Sequence, residues 1–323
     1  MQISKKFTVL IKLIIVALAF WFIYKKVFAN DNYLEFKVQF LNFSDQKNYF
    51  NLILVCGLMI LNWSIDAIKW QFLIHRLEKV SFWLSLKAVF LGITVSIFTP
   101  NRVGEFGGRV FCLKYANRLK AVLVTIFGNF TQLITTVLFG LLALSTFCLM
   151  YDSPDLSLVS NYKVLIVLLC LFSAILLVYI VFNITLLSPF LSKWNRLKKY
   201  QDYWQVFSAF SKQEILKVLM LSVSRYLVYS FQFFLLIRFV DIDISLLQSF
   251  TMSALTFLSL SIIPTIALTE IGVRGSVSLY FFGFLTTNTS GVLTATFALW
   301  IINLVIPALV GSFFVYQLKF FRK

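Results

Sequence analysis

Two short stretches of this 323-residue chain combine residue types that could do chemistry. The first runs Thr99-Pro100-Asn101-Arg102-Val103-Gly104-Glu105-Phe106-Gly107-Gly108-Arg109. The second runs Pro264-Thr265-Ile266-Ala267-Leu268-Thr269-Glu270-Ile271-Gly272-Val273-Arg274-Gly275. Each has a proline followed by Glu-x-Gly-x-Arg, which on a helix puts glutamate and arginine on one face. Pro100, Gly104, Gly107, Pro264 and Gly272 are the expected hinge and backbone positions, where the chain breaks or approaches a ligand closely. A helix restarting after such a break presents free N–H groups and the positive end of its dipole. Arginine adds a planar fork that matches phosphate. Arg102, Glu105, Arg109, Glu270 and Arg274 therefore form a candidate binding set for an anionic phosphate headgroup. A second reading stands beside it, in which each Glu–Arg pair is an internal salt bridge that holds its own segment closed.

Among the charges in or beside the apolar runs, three stand out. Arg225, in Ser224-Arg225-Tyr226, is too deep to reach the surface and is expected to face a cavity or to pair with Glu270. Asp66 and Lys69 share a helix face near Asn62, Trp63 and Trp70, and read as a local ion pair in an interfacial aromatic belt, with a secondary place in the site. His75 is the single histidine and the four cysteines share no close spacing, so neither a metal site nor a disulfide framework is expected. No motif calls for a cofactor.

The elements that position these residues follow from composition. Hydrophobic residues make up 60% of the chain and charged ones 13%, too apolar for one soluble core. The apolar runs are far longer than barrel strands, so the fold class is an all-α polytopic membrane protein. A formal charge of +16 fits cytoplasmic loops and anionic headgroups, and nucleic acid is not expected as a partner. Spans are expected at 7–28, 48–68, 121–150, 163–187, 215–239 and 291–317, with broken hairpins at 83–113 and 246–285. Lys193, Arg196, Lys198, Lys199 and Lys212 in one loop, and Lys319, Arg322 and Lys323 at the C-terminus, place these segments in the cytoplasm. Asp152 and Asp155 mark an external loop. Both termini are then cytoplasmic. Residues 1–150 and 163–320 become two inverted-topology repeats, each made of two spans, a re-entrant hairpin and a further span.

Pro100-Asn101-Arg102-Val103-Gly104-Glu105 with Arg109, and Pro264 with Ile271-Gly272-Val273-Arg274, resemble the lysylphosphatidylglycerol synthase transmembrane-region family, the flippase-like membrane part of bacterial multiple-peptide-resistance proteins. The resemblance extends over nearly the whole chain, including Asn62-Trp63, Lys69-Trp70 and Ser224-Arg225. It implies a bacterial inner-membrane protein of two inverted halves that handles lipid. Asn101 stands where the family often has glycine, and Glu270 precedes Gly272-Val273-Arg274 where the family often has an acid after the arginine. Members with synthase activity carry a large soluble aminoacyl-transferase domain, and no polar stretch of this chain is long enough to form one, so the expectation is a non-enzyme. Three functional classes remain open. The first is a translocator binding an anionic phospholipid or a polyprenyl-phosphate-linked lipid. The second is a membrane partner that presents such a lipid to a separate glycosyltransferase. The third is a membrane enzyme using Asp66, Glu105 or Glu270.

Overall fold

A computed structural model describes residues 46–97, 99, 102–150, 162–183, 206, 209–263 and 267–315. The span expected at 7–28, Pro100, Asn101, Pro264, most of the loops at 29–47, 151–162 and 188–214, and the C-terminal Lys319, Arg322 and Lys323 lie outside the described residues. The protein is an all-α polytopic membrane protein, with no strand among the described residues. In chain order the helices are α1 (Gln46–Ile74), α2 (Phe82–Ser96), α3 (Gly104–Val110), α4 (Arg118–Met150), α5 (Lys163–Phe182), α6 (Lys212–Phe239), α7 (Leu246–Ile262), α8 (Ala267–Phe282), α9 (Thr289–Trp300) and α10 (Ile306–Val315). A π-helical turn, Ile301–Val305, joins α9 to α10. Helices α1, α4, α5, α6 and the continuous α9–α10 rod are long and apolar enough to cross a bilayer, whereas α2 and α7 are shorter.

Local chemistry sets several helix starts. The Ser81 hydroxyl accepts from the Leu84 N–H at the start of α2. Ser211 with Glu214 and Ser245 with Gln248 form reciprocal capping boxes on α6 and α7. Two boundaries differ from the sequence reading. Helix α1 continues to Ile74, past Asp66 and Lys69, because both charges find partners inside the protein. Inside the hairpin expected at 246–285, helix α8 already begins at Ala267, so Glu270 and Arg274 lie on a helix.

Three contacts show that α1 and α6 run antiparallel. Arg76 reaches both oxygens of Glu214 at 2.7 Å, Lys69 reaches Ser222 Oγ at 3.4 Å, and Gln232 Nε2 donates to the Val55 carbonyl at 2.8 Å. The two hairpins follow the C-terminal ends of these helices, so they start from opposite ends of the bundle. The feet of each are tied. Glu78 accepts the N–H groups of Lys114, Tyr115 and Ala116 beside α2 and α3. Asn288 Nδ2 donates to the Val240 carbonyl beside α7 and α8, at 3.5 Å. The tips meet in the middle, where Arg102 Nη2 lies 2.6 Å from Glu270 Oε1. Arg102 holds a left-handed backbone with φ 58°, which costs an L-residue roughly 1–2 kcal/mol.

Helix α2 packs on α10, and α7 packs on α4. Both crossings are close because a glycine faces the partner. A Cβ on Gly311 would collide with the Phe90 carbonyl, and one on Gly140 would meet the Leu258 side chain. Inside the first hairpin, Gly108 lies against Gly92 and the Leu91 carbonyl. Gly104 is equally tight, with its N–H donating to Thr99 Oγ1 at 2.7 Å. Gly107 and Gly272 do not meet the hinge expectation. They sit inside α3 and α8, with an ordinary contact at Gly107 and open space around Gly272, and no described glycine has a positive φ. Gly272→Ala is therefore expected to be neutral or to stabilise by up to about 1 kcal/mol, because alanine is the better helix former. A thermal melt of the detergent-solubilised variant checks this, and a loss of stability would reveal a constraint that the open space does not contain.

Candidate functional site

Asp66 is the centre of the buried charge. Its helix face is covered by α3, α4 and α6, and the side chain is fully buried. Oδ2 accepts from Arg109 Nη2 at 2.5 Å. Oδ1 lies 3.2 Å from Arg225 Nη1 and 3.4 Å from Lys69 Nζ. Arg109 also donates to Glu105, one turn earlier on α3. Lys69 donates to Gln132 Oε1 at 3.2 Å and to Ser222 Oγ at 3.4 Å. Removing a charge from water costs several kcal/mol, and such a cluster persists only if each ion keeps its partners. Trp63 and Trp70 are buried beside it, with the Trp70 indole donating to Thr125 Oγ1 at 3.1 Å. The local ion pair is present, but the aromatic belt is not, since neither tryptophan reaches an interface.

A second centre forms at the hairpin tips. Glu270 Oε1 takes two arginines, Arg274 at 2.9 Å from its own helix and Arg102 at 2.6 Å from the other hairpin. Arg274 Nη1 also donates to Tyr229 Oη at 3.3 Å. Both Glu–Arg pairs at i,i+4 are thus formed, as the salt-bridge reading expected. The two centres flank a cavity of about 340 Å³.

The cavity divides the sequence-predicted residues. Arg102, Arg225 and Arg274 line it. Arg109, Glu105, Glu270, Asp66 and Lys69 are not among its lining residues. Arg109, expected in the binding set with Arg274, is buried instead, its guanidinium held by Asp66 and Glu105. Arg225 does face the cavity, but its carboxylate partner is Asp66 and not Glu270, and its guanidinium lies 4.7 Å above the Trp63 ring.

Sequence reasoning missed several wall residues. Asn62 and Asn303 pair across the site, Asn62 Nδ2 donating to Asn303 Oδ1 at 3.2 Å. Trp300, Tyr226 and Tyr229 complete much of the aromatic wall. Asn303 lies in the π-helical turn four residues before Pro307, which has no N–H to close an α-helical bond onto it. A polar residue four before a proline in an apolar run was the available signal.

Five cations, Lys69, Arg102, Arg109, Arg225 and Arg274, share three carboxylates, Asp66, Glu105 and Glu270, across the two centres. Among the described residues, two positive charges are left in excess beside a cavity whose lining holds no carboxylate.

A family model described as "Lysylphosphatidylglycerol synthase TM region" matches residues 9–311. No curated protein and no solved structure matches the chain.

Proposed function

The chain belongs to the lysylphosphatidylglycerol synthase TM-region family, a multi-pass membrane family connected with lipid handling, and from that premise we propose that it binds the anionic headgroup of a phosphate-bearing lipid in the Arg102–Arg225–Arg274 cavity and moves it across the bilayer. The observation that carries this reading is the excess of two cations across the two centres that flank the cavity, with three arginines from separate parts of the chain lining it. Excess charge inside a membrane domain calls for a counter-ion, and arginine offers a phosphate two donors in the right plane. Interrupted helices near the middle of the bilayer suit such a site.

The same reading takes the two halves as inverted repeats. It is supported by antiparallel α1 and α6, by hairpins that start from opposite ends, and by the matched α2–α10 and α7–α4 packing. Each hairpin then re-enters from its own side of the membrane. Arg76, Lys79, Lys114 and Lys120 gather at the end where α1 finishes, and that end faces the cytoplasm of a bacterial inner membrane. A lipid that meets the tips from either side would exchange contacts with the Arg102–Glu270 bridge.

The test is binding and translocation by purified protein in vesicles doped with anionic phosphate lipids. Arg274→Gln and Arg225→Gln should each weaken binding by about tenfold or more, the worth of one charge-assisted hydrogen bond. Arg274→Lys should keep part of it. The double change Glu270→Gln with Arg274→Gln should stay inactive although it folds. Recovery of activity in that double variant, or no binding of any phosphate lipid by the unmodified protein, would overturn the reading.

A further inference from the structure

The cavity contains one group that a phosphate cannot satisfy. Asn303 Nδ2 donates to the Leu299 carbonyl at 3.2 Å, which fixes the orientation of that amide and makes its Oδ1 the acceptor. Asn62 must then present its own Nδ2 to Asn303. What remains is Asn62 Oδ1, a buried carbonyl oxygen with no donor among the described residues, on a side chain that lines the cavity and is 2% exposed. A buried acceptor left unpaired is costly, and a phosphate oxygen is itself an acceptor that repels it. An O–H or N–H donor in the cavity would satisfy it.

The charge around the cavity decides between those two. An ammonium group could donate to Asn62, but three arginines line the same space and no lining carboxylate balances it. Asp66 and Glu270 are spent on arginines. A cationic headgroup would gain one hydrogen bond and meet like charge in a site of low dielectric. A neutral hydroxyl makes the same hydrogen bond without that repulsion. The indole N–H groups of Trp63 and Trp300, both wall residues, also lack partners among the described residues and are free to donate to hydroxyl oxygens.

Building on the proposed phosphate site, we infer that the headgroup is a phosphate joined to a neutral, hydroxyl-rich group, a polyol or a sugar, and that aminoacylated, cationic headgroups are excluded. Asn62 is the residue that reads the hydroxyl, and the arginines read the phosphate. The chemistry is shared by polyol glycerophospholipids and by sugars on a polyprenyl phosphate.

Binding to the full-length protein in phosphatidylcholine nanodiscs separates the cases. One arm compares phosphatidylinositol with phosphatidic acid. A second compares a polyprenyl-phosphate hexose with the bare polyprenyl phosphate. A third compares phosphatidylglycerol with its lysyl ester. In at least one of the first two arms the hydroxyl-bearing lipid should bind about tenfold tighter than its bare partner, and that arm names the source. The lysyl ester should bind at least tenfold more weakly than phosphatidylglycerol. In Asn62→Ala the preference for the hydroxyl-bearing lipid should fall to about one. Equal affinity within both of the first two pairs would overturn the inference and leave the phosphate site standing. Equal or tighter binding of the lysyl ester would overturn the exclusion. A preference that survives in Asn62→Ala would remove Asn62 from the role. If no phosphate lipid binds at all, the underlying reading fails as well. Should Asn62→Ala not fold, the lipid ratios of the unmodified protein still decide.

Discussion

Asp66→Asn should cost the protein about 3–5 kcal/mol and most of its folded yield, the typical penalty for leaving buried charge unpaired. The change keeps the shape and volume of the side chain, so it opens no void. It removes the one carboxylate that faces Arg109, Arg225 and Lys69 together, on a side chain with no exposure. Glu105 can still hold Arg109, but Arg225 and Lys69 lose their one carboxylate partner among the described residues, at the place where α1, α3 and α6 meet. Thermal melting and monodispersity in detergent measure the effect. The control is Asp243→Asn, whose side chain is 92% exposed beside Arg238, and it should shift stability by no more than about 0.5 kcal/mol. Equal melts for the two variants would mean that Asp66 is not the keystone of the charge cluster.

Gly311→Val should be comparably severe. The atoms that a side chain would strike are the Phe90 carbonyl and the Thr94 hydroxyl, on the helix where Thr94 also donates to the Ala308 carbonyl at 2.9 Å. Backbone cannot swing aside, so α2 and α10 must separate. Overpacking a close contact typically costs 1–3 kcal/mol and at times more, and here it also breaks the Thr94 link. Gly140→Ala makes the informative comparison. Its nearest obstacle is the Leu258 Cβ at 2.6 Å, which a rotamer change cannot move, so α7 must shift. The overlap is less than that at Gly311 and only one methyl is added, so the loss should be smaller. Melting curves of the two variants rank them. A larger loss at Gly140 would place the tighter helix crossing in the other half.

Much of this arrangement was legible from residue order. Length and hydropathy located most of the spans, and the two proline-broken segments with Glu-x-Gly-x-Arg marked the hairpins whose tips meet. Glu105 with Arg109 and Glu270 with Arg274 pair as i,i+4 geometry dictates. The partners over long distances were not legible. Nothing local says that Asp66 on α1 accepts from Arg109 on α3, or that Arg102 crosses to Glu270, because those contacts depend on how the helices cross. The same limit explains the misreading of Asp66 and Lys69. A charge pair next to tryptophans reads the same from sequence whether it sits at an interface or in the interior, and only the helices packed over it decide. The hinge assignments at Gly107 and Gly272 failed for a related reason. Glycine signals either a bend or a close neighbour, and at these two sites the structure contains neither, while Gly92, Gly108 and Gly311 carry the close approaches.

The π-helical turn at Ile301–Val305 has a consequence for chain length. It fits one extra residue into a turn, and each residue of an α-helix advances the direction of its side chain by about 100°. Because the wide turn absorbs the extra residue locally, the helix beyond it keeps its register, with Trp300 and Asn303 on the cavity and Gly311 on Phe90. Deleting a single residue inside the turn would let it rewind as regular helix and leave Gly311 on its contact. The same deletion between Ile306 and Gly311, where the winding is already regular, would swing the rest by about 100° and carry Gly311 off Phe90. Tolerance to a change in chain length is therefore confined to this one turn of the rod.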